Sequence, residues 1–408
     1  MHQSADKINQ GHHTSYKWVV IGLFALCNSS GFMITTVIGI LLPSIANDLS
    51  LTPTEQGMLG SAPFLANVAL TIILTWWASR IPPKLLTSLT MILSTLLLFL
   101  QAVTPNFMGL LLARLFFGIT TIMREPARAL LIRQWLAQRE VNLAGSIFNL
   151  SFGIVVGGGL FVAPLLLKLL NNEWRLVMYS SALMFLILSI LWIIFGKENR
   201  IKPTTNMSNY VETVRFGDVF LRSEVWLAGI GMFGAIIAWT SFNSFLPTLL
   251  LRSSQISLEI SGLIIAIYIL VGGISGVLLS YRSRSINWKL MLTVSSLMMT
   301  ITYFYMTYPL PVAILILLAM VNGTCWGFFP LLYMIPFHIK DMKPRSIAIS
   351  VAIFMTMNAL GSSIGPTLTG FLEEGTGSLT IALRIISISP FTLIVTGFLL
   401  KPPIKSDN

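Results

Sequence analysis

The chain has 408 residues, of which 55% are hydrophobic and only 10% charged. Soluble domains carry about 25% charged residues, so a soluble fold is excluded and lipid must be the solvent for most of this chain. The formal net charge of +11 gathers in every second polar joint, which is the pattern of loops held at an inner membrane leaflet and not a nucleic-acid footprint.

The first sixteen residues are polar and lack the apolar core of a cleavable signal peptide. Residues 1–17 therefore read as a cytoplasmic tail, and the first apolar run as an uncleaved membrane signal. A spanning helix needs about 20 apolar residues. Runs of this kind predict twelve transmembrane helices, at 18–42, 57–79, 84–103, 108–131, 142–169, 175–195, 225–251, 260–280, 288–307, 311–334, 345–371 and 379–400. The longest joint, 196–224, is polar and mixed in charge. It divides the chain into two six-helix bundles, 18–195 and 225–400, followed by a short tail, 401–408. Both termini are then cytoplasmic in a multi-pass protein of the inner cell membrane.

The two bundles echo one another. Helix 5 carries Gly153-x-x-x-Gly157, then Gly158, Gly159 and Pro164; helix 11 carries Gly361-x-x-x-Gly365-Pro366 and Gly370. Small residues four apart let helix backbones approach closely, and corresponding positions in two halves suit helices that rock during transport. Cys27 and Cys325 lie inside apolar runs, where they read as small buried hydrophobes. The chain has no zinc spacing, phosphate-binding loop or nucleophile–base constellation. No cofactor or metal is expected, and no enzymatic activity.

Local motifs carry a family resemblance. The joint after helix 2 keeps Arg80 and Lys84 of the pattern Gly-x-x-x-Asp-Arg-x-Gly-Arg-Lys, with Ser79 in place of the aspartate. The joint after helix 8, Gly276 to Arg284, keeps its glycine and two arginines but has Ser280 in place of an acid. Helix 4 has Arg114-x-x-x-Gly118, then Pro126, Trp135 and Arg139-Glu140. Trp174-Arg175 precedes helix 6, and Lys340-Asp341, Gly365-Pro366, Gly370 and Gly375-Thr376-Gly377-Ser378 frame helix 11. With its six-plus-six plan, the chain resembles the major facilitator superfamily, and its texture is most similar to the cyanate, nitrate and organic-anion porters. The resemblance implies an all-α integral membrane fold of two pseudo-symmetric six-helix bundles. It also implies alternating access to a central site.

A charge at membrane depth costs several kcal/mol unless paired or hydrated. Arg114 falls about 9 Å along helix 4. It is either a snorkelling arginine, one that holds a neighbouring carbonyl, or a cavity cation that grips an anionic substrate with two parallel hydrogen bonds. The resemblance favours the last. Arg124, Glu125 and Arg128 follow near the cytoplasmic end, as interfacial anchors or as a gate in which Glu125 pairs with Arg80 when the protein opens outward.

Asn28, Asn67, Asn149, Asn243, Asn322 and Asn358 lie in helices 1, 2, 5, 7, 10 and 11, and helices 3, 6, 9 and 12 have none. In the resembled family those four face lipid, and buried unsatisfied amides are costly there. About half of the six are expected to face the cavity, and the rest to bond between helices. Eight tryptophans fall near helix ends, as an interfacial belt does. Trp239 and Trp326 fall mid-helix as packing or as an aromatic wall, with Tyr268 as a weaker candidate.

These features predict a monomeric secondary transporter of a small, anionic solute, with a proton or ion as a possible coupling partner. The absence of a nucleotide-binding domain excludes ATP as a direct energy source. A proton-coupled multidrug exporter, using Trp239, Trp326 and Glu125, is the first alternative. A non-transporting sensor on the same fold is the second. An intramembrane enzyme would need paired acids or a histidine cluster at depth, which the sequence lacks.

Overall fold

The protein is described by a computed structural model covering residues 2–78, 80–136, 140–199, 222–282, 287–329, 332, 335 and 344–400. Ser79, Arg139, Arg284, His338, Lys340, Asp341, the 200–221 part of the central joint and the 401–408 tail lie outside the described residues. Those described form fourteen α-helices and two short 3-10 turns, with no strand among them. The first half holds α1 (His2–Leu49), α2 (Pro53–Ala78), α3 (Pro83–Val103), α4 (Phe107–Ile122), α5 (Glu125–Trp135), α6 (Val141–Leu169) and α7 (Trp174–Phe195). The second holds α8 (Ser223–Ser254), α9 (Leu258–Arg282), α10 (Trp288–Met306), α11 (Val312–Cys325), α12 (Pro344–Thr376), α13 (Leu379–Ile386) and α14 (Thr392–Leu399). Nine stretches of the described residues are long and apolar enough to cross a bilayer.

The expected helix 4 is broken in two, α4 and α5, at Met123–Arg124. Pro126 lacks an N–H, and its ring would clash with the carbonyl of residue 122. The expected helix 12 breaks likewise at Ser387–Ile388, ahead of Pro390. The expected 311–334 helix leaves α geometry after Cys325 and tightens into the 3-10 turn Trp326–Phe328. The backbone of α1 is helical back to His2, through the segment that reads as a tail, and it runs on past residue 42 to Leu49. At the far end of α1, Thr52 and Glu55 form a capping box for α2. The Thr52 N–H donates to Glu55 at 2.9 Å, and the Glu55 N–H donates to the Thr52 hydroxyl at 3.2 Å.

Four helices turn apolar rows outward, as lipid requires. These are Leu89, Leu93, Leu96 and Leu100 on α3; Leu183, Ile187, Ile190 and Ile194 on α7; Leu290, Val294 and Ile301 on α10; and Val395 and Phe398 on α14. They belong to four of the expected spans that lack asparagine. The tryptophan belt is less regular. Trp174 and Trp192 are buried, with indole N–H groups donating to Asp48 (3.1 Å) and to the Lys84 carbonyl (3.2 Å). Within the first half α1 packs on α6, α2 on α4, and α3 on α7; within the second α8 packs on α12, and α9 on α11. The halves meet through α2 with α12, α6 with α9, and α1 with α8.

Candidate functional site between the halves

The seam between the halves is tight at one end and loosens along its length. Glycines record this, because a Cβ on each would meet the opposite helix at a definite distance. On Gly370 it would lie 2.1 Å from the Pro53 carbonyl oxygen, and on Gly57 2.3 Å from that of Pro366. On Gly39 it would lie 2.2 Å from that of Asn243. Along α6 and α9 the figures relax from 2.4 Å (Gly262 to the Leu160 carbonyl) through 3.1 Å (Gly157 to that of Ala266) to 3.8 Å (Gly153 to the Gly273 Cα) and 3.3 Å (Gly273 to the Asn149 carbonyl). Polar bonds cross the seam at the tight end. The Thr367 hydroxyl and backbone N–H meet the Ser61 hydroxyl at 2.8 and 3.1 Å, and the Thr54 N–H donates to Glu374. Lys168 pairs with Glu259 at 3.1 Å.

The two glycine motifs therefore do different jobs. Gly153 and Gly157 face the other half across α9. Gly361 and Gly365 pack inside their own half against α8, near the Phe233 and Ile237 carbonyls. On α12 it is Pro366 and Gly370 that meet α2.

Arg114 is 1% exposed and does not reach an open cavity in this conformation. Its Nε donates to the Leu59 carbonyl of α2 at 2.8 Å, and Nη2 reaches the Thr35 carbonyl of α1 at 3.5 Å. The reason is local. Residue four beyond Leu59 is Pro63, which has no N–H, so α2 leaves that carbonyl unpaired. Gly118 completes the joint, since a Cβ there would lie 2.0 Å from the Pro63 carbonyl oxygen. The Arg114-x-x-x-Gly118 motif thus clamps the proline site of α2, and of its three readings the geometry matches the arginine that holds a carbonyl. The signal was in the sequence, but in the neighbouring helix.

Glu125, Arg128 and Asn28 come together at the loose end. Asn28 Nδ2 donates to Glu125 Oε1 at 3.2 Å, Arg128 lies 3.6 Å from Glu125 Oε2, and its guanidinium stacks over Phe148. Beside them the Ser29 and Ser151 hydroxyls bond α1 to α6 at 3.1 Å, a pair that the sequence reading passed over. Arg80 is exposed on the joint after α2. Arg124 is wholly buried between α1, α3 and α4. Its Nη1 contacts the Met91 sulfur, while Nε and Nη2 have no hydrogen-bond partner. The guanidinium fits because Gly31 has no side chain; a Cβ there would come within 2.5 Å of Nη2.

In the second half Trp239 and Trp326 make an edge-to-face pair, with centroids 6.2 Å apart. Trp326 stacks on Phe328, and the Tyr268 and Tyr303 hydroxyls bond at 2.7 Å. Tyr303 is a further member that the spacing did not single out. Asn243 donates back to the Trp239 carbonyl, while its buried Oδ1 has no partner. Asn322 departs from the cavity expectation. It is fully buried and donates to the Thr302 hydroxyl at 2.6 Å, tying α11 to α10. Asn149, Trp239, Trp326 and Asn358 stay half-buried, and only such side chains can meet a solute without rearrangement.

Comparison with known proteins agrees with this architecture. Residues 24–403 match the profile described as Major Facilitator Superfamily. The chain is 24% identical to an uncharacterized transporter, YybO, of Bacillus subtilis (strain 168), over 94% of this chain and 93% of the relative. It is 21% identical to the probable galactarate/D-glucarate transporter GudP of the same organism, over 97% and 94%. It is 19% identical to the hexuronate transporter of Escherichia coli (strain K12), over 58% of each. Among solved structures, a bacterial homologue of the human lysosomal transporter Spinster superposes with a TM-score of 0.73, at 17% identity over 94% of this chain and 95% of that one. An integral, multi-pass membrane protein of this length, matched almost end to end, is a transporter by family: the chain belongs to the Major Facilitator Superfamily.

Proposed function

We propose that this transporter moves a small organic anion across the inner cell membrane by alternating access between its two halves. The observation that carries alternating access is the graded seam: backbones press closest where α2 meets α12 and α1 meets α8, and lie in looser contact along α6 and α9 toward Gly153 and Gly273. The basic joints lie at the loose end. The positive-inside rule then makes that end cytoplasmic, with both termini beside it, and makes this conformation inward-facing. Two relatives are named for galactarate, D-glucarate and hexuronate, all carboxylates, which supports an anionic solute. Arg124, a buried cation that makes no ion pair among the described residues, and Arg128 supply positive potential near the path. Asn149 and Asn358 offer amides to the solute and Trp239 and Trp326 an aromatic wall, with Asn28, Asn243 and Tyr268 behind them. Arg114 serves the site by positioning α1 and α2. The protein acts as a monomer.

The test is uptake by purified protein in liposomes, with radiolabelled D-galactarate and D-glucuronate set against the lipophilic cation ethidium. Saturable carboxylate uptake, with a KM raised about tenfold or more by Trp239→Ala, is the expected result. Transport of ethidium alone would replace this reading with an exporter, and transport of nothing would leave a sensor.

A further inference from the structure

We infer that the tight end carries its own binding site for a small carboxylate, with Lys168, now paired with Glu259, as its anchor. The inference rests on the anion-transport reading. A cavity of about 430 Å³ opens there between the halves, within the roughly 300–1,000 Å³ typical of small-molecule sites. Ser44 and Asn47 of α1, Lys168 of α6 and Asn172 line it from the first half, and Ser257 and Glu259 from the second. It sits on the α6–α9 seam just beyond the Gly262 contact, where a solute must pass once this end opens.

The chemistry of the pair suits exchange. The Lys168 ammonium has three donors and spends one on Glu259 at 3.1 Å, with side-chain exposures of 76% and 24%. An ion pair so exposed holds weakly, so a carboxylate that also bonds to the neighbouring amides and hydroxyls can displace Glu259 from Lys168. Glu259 does not need Lys168, because it stands in the first turn of α9, where the helix dipole favours an acid. The neighbouring amides and hydroxyls match the hydroxyls of a sugar acid. A solute that takes Lys168 from Glu259 therefore occupies the site and covers Ser44 and Asn47.

The experiment uses the full chain with Cys27→Ala and Cys325→Ala, and one reporter, Ser44→Cys or, should that variant fold poorly, Asn47→Cys. Labelling by a membrane-impermeant maleimide is timed in reconstituted vesicles with D-galactarate or its uncharged analogue galactitol. D-Galactarate is expected to slow labelling about threefold with Lys168 present. It should act at lower concentration in Glu259→Gln and have no effect in Lys168→Gln; galactitol should do nothing. Protection that survives Lys168→Gln, or that galactitol reproduces, overturns the site. So does an absence of protection in vesicles that do take up D-galactarate. Protection without any carboxylate uptake would keep the site and overturn the transport reading instead.

Discussion

Arg114 shows how a proline in one helix dictates a charge in another. The Leu59 carbonyl lacks its helical partner because residue 63 is proline, and Arg114 donates to it in a buried setting. A hydrogen bond from a charged donor contributes about 1.5–3 kcal/mol, so Arg114→Met is expected to lower the thermal midpoint in detergent. Pro63→Ala returns an N–H to residue 63 and gives the carbonyl a partner of its own. The two substitutions should therefore be coupled by about 1 kcal/mol or more in a double-mutant cycle. An Arg114→Met penalty of equal size in both backgrounds would show that the carbonyl is not what the arginine serves. Arg124 presents the opposite case, a buried guanidinium with two unpaired nitrogens. A charge left in that state costs stability.

At the scale of helices, the α4–α5 break matters because it sets Glu125 in the first turn of a new helix, facing Asn28 and Arg128. In the gate we propose, closure of the loose end brings this carboxylate to Arg80. Glu125→Gln keeps an acceptor for the Asn28 amide but loses the charge, so it should favour the inward-open form. Maleimide labelling of Asn149→Cys from the cytoplasmic side should rise about two- to fivefold, the range of an exposed pair. Identical labelling with and without the substitution would sink the gate.

The breaks themselves mark the limit of what was legible in the sequence. Hydropathy anticipated the apolar helices, nine described stretches of which are long enough to cross a bilayer, and α3, α7, α10 and α14, which carry no asparagine, turn apolar rows outward. Yet Pro126 and Pro390 follow breaks, whereas Pro43, Pro63, Pro164, Pro247 and Pro366 sit inside continuous helices. At Pro63 the helix continues with its freed carbonyl, that of Leu59, held by Arg114, and a single chain read in order does not display such neighbours. Asn322 and Asn358 read alike for the same reason. Only packing shows that Thr302 claims the first, while the second is left half-buried.

For the whole molecule, the decisive quantity is the difference in fit between the two ends of the seam. Where α2 meets α12, Gly57 and Gly370 lie against the backbones of Pro366 and Pro53, so an added methyl must push peptide groups apart. Overpacking of this kind costs about 1–3 kcal/mol, and the cost falls only on the state in which this end is shut. Gly57→Ala and Gly370→Ala should therefore shift the population toward the state open at this end. Labelling of Thr54→Cys, which keeps the backbone bond to Glu374, by an impermeant maleimide should rise about fivefold or more, and maximal transport rate should fall because the return step is hindered. Gly153→Ala is the matched control. Its Cβ would stand 3.8 Å from Gly273, an ordinary contact, so its labelling should stay at the parent level. If Gly153→Ala opens the tight end as readily as Gly57→Ala, then the close backbone contact is not what keeps that end shut. The conformational balance would then rest on the polar bonds of Ser61, Thr54 and Lys168.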